Sequence, residues 1–282
     1  MLVLPQLMAV AGEFPQRAGG APATYTLGMI QSFAGGGGAY GAPPADGREI
    51  PVAENQPLMA VIGLTFGGDG SRLALPDLRS RTPIGGAQLG LEGQHTLGMT
   101  YLIATNAESG APLLGMVAAF AGSFAPSGWT VADGRMLPIS ANVPLYQLIG
   151  HSFGGSPVGF NLPDLDGFAV IGAGEGSGIA PIALGGRVAE PVPALALDYL
   201  ISVEGEAPPS GGTGAFPQSG NWLGQVVAFA GSEVPQGWAS CDGALIEADA
   251  APALFALLGT RYGGDGRSFA LPDLRGRILV GG

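Results

Sequence analysis

The chain has 282 residues, 46% of them apolar, with a formal net charge of −11 and a mean hydropathy of +0.34. Gly and Pro together make up about 27%, a share usual in disordered chains, but this apolar fraction supplies ample surface to bury and speaks against disorder. All 11 basic residues are Arg, scattered and outnumbered two to one by Asp and Glu, which disfavours nucleic acid as a partner because that needs a basic stripe to displace counterions. In chain order, residues 2–10 read as an apolar strand. Ala9-Val10-Ala11 resembles a signal cleavage site, yet no basic residue precedes the apolar stretch. Next come a buried strand at GMIQSFAG (28–35), an Asp46-Gly47 turn, a short helix in NQPLMAVIG (55–63), a GGDG turn (67–70) and LPDL (75–78). A second strand, TYLIATNAESGAP (100–112), leads to GMVAAFAG, Asp133-Gly134, NVPLYQLIG and LPDL at 162–165. A third, DYLISVEGEAPP (198–209), leads to GQVVAFAG, Asp242-Gly243, APALFALLG and LPDL at 271–274.

The order is a triplication. Residues 27–86, 114–173 and 223–282 align without a gap, and 17 of the 60 columns are identical, eight of them glycine. What is preserved is therefore mostly backbone geometry, either positive φ or close approach of another segment. In each helix the apolar residues fall at i, i+3 and i+4, a proline or proline-bearing pair sits near the start, and Gly63, Gly150 or Gly259 follows as a C-cap. The domain reading is a lead-in strand and linker (1–26), module 1 (27–86), a strand linker (87–113), module 2 (114–173), a strand linker (174–222) and module 3 (223–282). The fold class is mainly β with short helices, three tandem modules of about 60 residues arranged with pseudo-threefold symmetry and joined by extended strands.

One strand is left over at the front and none follows module 3. If each strand completes the module before it, residues 2–10, with Leu2, Val3, Leu4, Leu7, Met8 and Val10 as the assembly strand, must complete module 3. Within one chain that closes a ring, and between chains it makes a head-to-tail polymer by strand donation.

Candidate chemistry is sparse. The GGDG turns offer one carboxylate each, too few for calcium, and no Lys for a phosphate loop. Cys241 is single, and His95 and His151 have no His or Cys at ligand spacing, so no metal and no cofactor is expected. Asp46 with Asp77, Asp133 with Asp164 and Asp242 with Asp273 are the only aspartate pairs repeated in every module. A glycosidase needs two carboxyls within about 10 Å, but one pair per module suggests a role in the fold, such as bonding backbone N–H groups or pairing with Arg79 and Arg275. Trp129 and Trp238 follow Pro-x-Gly turns and read as module core rather than sugar-stacking platforms. No apolar run approaches about 18 residues, so no membrane span is expected.

The ordered set Gly–apolar strand–Phe-Ala-Gly, Pro-x-Gly-Trp, Asp-Gly, helix, Gly-Gly-Asp-Gly and LPDLRGR resembles the phage tail collar domain of short tail fibres and microcystin-dependent proteins. Module 3 carries it most fully, in FAGSEVPQGWASCDG and LFALLGTRYGGDGRSFALPDLRGRILVGG. The motif residues are Asp46, Gly47, Leu75, Pro76, Asp77, Trp129, Asp133, Gly134, Leu162, Pro163, Asp164, Trp238, Asp242, Gly243, Leu271, Pro272 and Asp273. Module 1 departs by having Ala42 in place of the tryptophan, and module 2 by having Ser156, Pro157, Asp166 and Phe168 where the others have Asp, Gly, Arg and Arg. Some family members hold zinc between histidines; no matching histidine pair exists here. The resemblance implies a non-enzymatic structural and attachment protein of a phage tail or tail-like particle, on the virion or outside the cell. Its partners would be other tail subunits or copies of itself, with a cell-surface glycan as receptor. The alternatives are a bacterial filament subunit or adhesin polymerised through the first strand and, more distantly, a glycan-cleaving tip protein.

Overall fold

The structure is a computed structural model that describes residues 2–4, 6–8, 27–34, 43–86, 96–105, 113–176, 178, 180–189, 192–204 and 221–281. The lead-in contributes β1 (Leu2–Leu4) and β2 (Gln6–Met8); Val10 lies outside the described residues. Module 1 contains β3 (Ile30–Phe33), β4 (Glu49–Pro51), α1 (Gln56–Ile62), β5 (Arg72–Ala74) and β6 (Thr82–Gly85), and β7 (Thr96–Ala104) follows it. Module 2 contains β8 (Met116–Phe120), β9 (Trp129–Val131), β10 (Met136–Pro138), α2 (Val143–Ile149), β11 (Gly155–Ser156), β12 (Gly159–Asn161) and β13 (Ala169–Gly172). After it come β14 (Arg187–Val188) and β15 (Ala194–Ser202). Module 3 contains β16 (Gln225–Phe229), β17 (Trp238–Ser240), β18 (Leu245–Glu247), α3 (Pro252–Leu258), β19 (Ser268–Ala270) and β20 (Leu279–Gly281). The protein is mainly β, with eleven of these strands in one curled sheet.

Each helix forms for the same local reasons. Proline stands in the first turn, where its missing N–H has no intrahelical carbonyl to bond. In α1, Leu58, Val61 and Ile62 turn one face into the core. The helix stops at Gly63, whose φ of +58° only glycine adopts cheaply and whose N–H reaches the Met59 carbonyl at 2.9 Å. Asn55 and Asn142, just ahead of α1 and α2, donate their side-chain amides to the Pro51 and Pro138 carbonyls at 2.9 and 3.0 Å, fixing the entry turn.

The connecting strands serve two modules, not one. β7 runs parallel to β6, with Thr82 opposite Thr96, and antiparallel to β8, with Tyr101 opposite Ala119. β15 runs parallel to β13, with Ala169 opposite Ala194, and antiparallel to β16, with Tyr199 opposite Ala228. The lead-in does the same in two pieces: β1 lies parallel to β20, with Leu2 opposite Leu279, and β2 lies antiparallel to β3, with Gln6 opposite Ser32. The strands β3, β8 and β16 also pair with one another. Met29 bridges Phe120, Met116 faces Phe229 and Gln225 faces Phe33, so position 3 of each module meets position 7 of the next and module 3 returns to module 1. The expected strands at 100–112 and 198–209 begin and end earlier than their loose sequence repeat suggested, at 96–104 and 194–202, because the parallel pairing uses residues ahead of the shared Tyr-Leu-Ile.

Most of the core is one cluster. Phe120, Phe160, Phe229 and Phe269 and the last leucines of the three LPDL strings, Leu78, Leu165 and Leu274, are at most 1% exposed. A second cluster brings together Ile84, Ile171 and Ile278, one from each module, over Ala169, Ala194 and Ala196. Replacing a phenylalanine as enclosed as Phe120 by alanine costs about 3–5 kcal/mol.

Candidate functional site: aspartate pairs and module seams

The repeated aspartates, 31 residues apart in sequence, meet in space. Asp46 bridges Asp77, Asp133 bridges Asp164 and Asp242 bridges Asp273. Separation therefore does not remove the catalytic reading, but the electrostatics weigh against it. In module 1, Asp46 accepts from the Arg48 backbone N–H at 3.1 Å and from its guanidinium at 2.8 and 2.6 Å. Asp77 takes the same three bonds from Arg79, at 3.1, 2.9 and 2.9 Å. Hydrogen bonds from the arginine two residues on hold Asp46, Asp77 and, through Arg135, Asp133 below the usual carboxylate range. At Asp273 partial burial pushes upward, but bonds from Arg275 outweigh it and the pKa is again lowered. A glycoside hydrolase needs one carboxyl held protonated, and these environments favour the charged form.

Module 2 repairs its own departure. Having Asp166 where the others have Arg, it brings Arg187 from β14 to donate to Asp164 Oδ2 at 2.8 Å while lying 4.7 Å over the Phe168 ring. In module 3, Asp242 accepts from the Ala244 N–H at 3.0 Å, and Arg275 spans the pair by donating to the Asp242 carbonyl at 2.6 Å. The surrounding motif is structural in detail: Leu75, Leu162 and Leu271 are buried, and Gly47, Gly134 and Gly243 each set their backbone against the partner aspartate's Cβ. The GGDG aspartates close their own turns. Asp69 Oδ1 accepts from Ser71 N–H, Ser71 Oγ and Arg72 N–H at 3.0, 2.7 and 3.0 Å, and Asp265 does likewise with Arg267 and Ser268.

The modules join at backbone level. The N–H of Gly85 donates to the Phe168 carbonyl at 3.0 Å, and the Gly85 carbonyl accepts from Gly167 at 3.0 Å. Gly172 repeats this with Arg277 and Gly276, at 3.0 and 2.7 Å. A Cβ on Gly85 would lie 1.8 Å from the Leu165 carbonyl oxygen, and one on Gly172 would lie 1.9 Å from that of Leu274. Here glycine is required by close approach. Beside these seams lie corresponding clefts of about 320 and 280 Å³. One is lined by Thr100, Ser123, Asp133 and Asp166, the other by Asp198, Ser240, Asp242 and Arg275. Burial alone pushes the Asp198 carboxyl up.

Trp129 is buried in the core at 5% exposed, and Trp238 is half-buried against the same cluster. His151 stands exposed, its Nε2 3.3 Å from the Tyr146 hydroxyl. Among the described residues no three His, Cys, Asp or Glu side chains form a metal-holding group, and no helix is long and apolar enough to cross a membrane. His95 lies outside the described residues. A family model, the Phage Tail Collar Domain, matches residues 28–83, 115–170 and 224–279, more than half of the chain. The chain belongs to the phage tail collar family. Three matched copies coincide with the three modules, and the family is a structural one, of the tail-fibre type. No curated protein matches the chain, and no solved structure does.

The sequence reading missed the seam residues Tyr101 and Tyr199. The hydroxyl of Tyr101 donates to the Pro83 carbonyl at 3.1 Å, and that of Tyr199 to the Val170 carbonyl at 3.3 Å. The signal was there in the shared Tyr-Leu-Ile of the two linkers.

Proposed function

We propose that this collar protein is a non-enzymatic structural component of a phage tail or tail-like particle, with its three modules set about a pseudo-threefold axis and its ring closed by its own first strand. One observation carries the reading: β1 takes beside β20 the parallel register that β7 and β15 take beside β6 and β13, while the collar pattern recurs three times. A single chain then supplies what would otherwise take three subunits, and covalent linkage keeps each module at millimolar-scale effective concentration of its neighbours. The departures between modules give each a distinct outer surface, as suits a part that meets several different tail subunits. Its place is the virion tail or the extracellular space. Loops around the clefts beside the seams, which offer hydroxyls and carboxylates, form the surface for a cell-surface glycan. The arginine-clamped carboxylates support a fold role over catalysis.

Light scattering and electron microscopy of the purified full chain test this. The expected result is a discrete particle of one chain's mass that keeps that mass when residues 1–8 are deleted, though with lower stability. Filaments that fall apart into soluble subunits on the same deletion would replace the closed ring by the strand-donated polymer. Retention on host-surface polysaccharide columns tests the attachment role, and passage without delay would remove it.

A further inference from the structure

Where β3, β8 and β16 pair, the described residues line a small, partly open cavity of about 50 Å³ whose wall includes Gln31, Ser32, Tyr101, Tyr199 and Gln225. Gln31 is 5% exposed, and its Nε2 has no hydrogen-bond partner. At the same position β8 has Ala118 and β16 has Val227, so module 1 alone places an amide here. A buried amide hydrogen left unbonded costs about 1–3 kcal/mol, which makes this a point in the three-strand junction that calls for a ligand. Tyr101 and Tyr199 have already spent their hydroxyl hydrogens on the Pro83 and Val170 carbonyls, so each turns only oxygen lone pairs to other partners. The lead-in strand has Gln6 at the register position of these tyrosines, since Gln6 faces Ser32 as Tyr101 faces Ala119 and Tyr199 faces Ala228.

We infer that this cavity is a built site for ordered water, with a molecule that accepts from Gln31 Nε2 and donates to tyrosine oxygens from the two inter-module strands. The chemistry selects the ligand. One donor beside two spent hydroxyls matches a molecule with two hydrogens and a free lone pair. An anion would face tyrosine lone pairs, and a metal cation would face the amide hydrogens. The volume is enough for one to a few waters, each needing about 10–15 Å³ on this scale, and too small for a sugar or nucleotide. Such a water joins module 1 to the strands that lead into modules 2 and 3, and so acts as a pin at the junction. The inference rests on the closed arrangement of three modules; a crystal in which β1 enters a neighbouring chain would revise the ring and leave the cavity to be judged separately.

The test is a high-resolution crystal structure of the full chain, alone and under xenon pressure, with Gln31→Val, the module 3 residue, as the companion. The expected result is a water peak within hydrogen-bond distance of the Gln31 amide and no xenon there in the native protein, with the water lost and xenon admitted in Gln31→Val. A dry, xenon-filled cavity in the native protein would overturn the inference. So would a Gln31 amide turned to a protein carbonyl. Because both native measurements stand alone, a variant that does not fold leaves the decision intact.

Discussion

Gly172→Ala separates the two reasons for which a glycine is kept. Gly172 is not in the left-handed region, so alanine fits its backbone conformation; the obstacle is the Leu274 carbonyl oxygen, 1.9 Å from where the methyl must go, with Leu274 C at 2.7 Å and Arg275 Cα at 3.2 Å. Real carbon–oxygen contacts are about 3.2 Å or longer, so one backbone segment has to retreat by more than about 1 Å. That movement breaks the bonds from Gly172 N–H to Arg277 and from Gly276 N–H to Gly172. Two backbone bonds at about 0.5–1.5 kcal/mol each, plus partial desolvation of groups left unpaired, give a loss of about 2–5 kcal/mol. Urea unfolding of the full chain, followed by tryptophan fluorescence, measures it. Gly63→Ala is the control: no neighbouring atom lies within 4 Å of where its Cβ would sit, and only the backbone conformation, φ +58° with ψ −145°, opposes it, at about 1–3 kcal/mol. If Gly172→Ala unfolds at the native midpoint, the seam is not where the structure puts it.

Other expectations follow from the same contacts. Phe120→Ala and Phe229→Ala should each lower stability by about 3–5 kcal/mol in thermal or urea unfolding, since both rings are enclosed where modules meet. Asp46, Asp77 and Asp133 have folded pKa values below the ordinary value of 3.8, so they bind fewer protons folded than unfolded. Their contribution is fully present above about pH 4 and fades as pH falls through the folded values. Melting temperature should accordingly hold level from about pH 7 to 5 and decline below about 4. Arg135→Gln should make that decline shallower, by a small amount because the pair is solvent-screened. Cys241 is buried, and desolvation pushes its thiol well above the ordinary value. Thiol reagents should therefore label it only on unfolding, which mass spectrometry at increasing urea reads directly.

How much was legible in the sequence varies with the range of the interaction. The helices were readable because proline, the apolar i, i+3, i+4 face and the terminal glycine are local signals in each copy. The modules were readable because three copies expose which residues the backbone insists on; Gly85 and Gly172 belong to an invariant column, although only the structure shows that the Leu165 and Leu274 carbonyls are the cause. The meeting of Asp46 with Asp77 was hidden by the 30 residues between them, and the rescue of Asp164 by Arg187 by its lying outside the repeat altogether. The small antiparallel pair of β10 and β12, with Leu137 opposite Phe160, gave no warning, because three-residue strands carry no measurable alternation. Gln31 and Ser32 belong to GMIQSFAG, legible as a buried strand, but their place at the three-strand junction comes from register with β2 and β16, a long-range fact.

Closure of the ring turns on the opening strand seating itself in its own chain. Leu2 and Leu279 are parallel neighbours, a spacing of about 5 Å between Cα atoms that a disulfide spans. With Cys241→Ser to remove the native thiol, Leu2→Cys together with Leu279→Cys should oxidise to a cross-link that leaves a single-chain band on a non-reducing gel and maps to one peptide pair by mass spectrometry. A ladder of covalent dimers and higher multiples, or no cross-link at all, would contradict it.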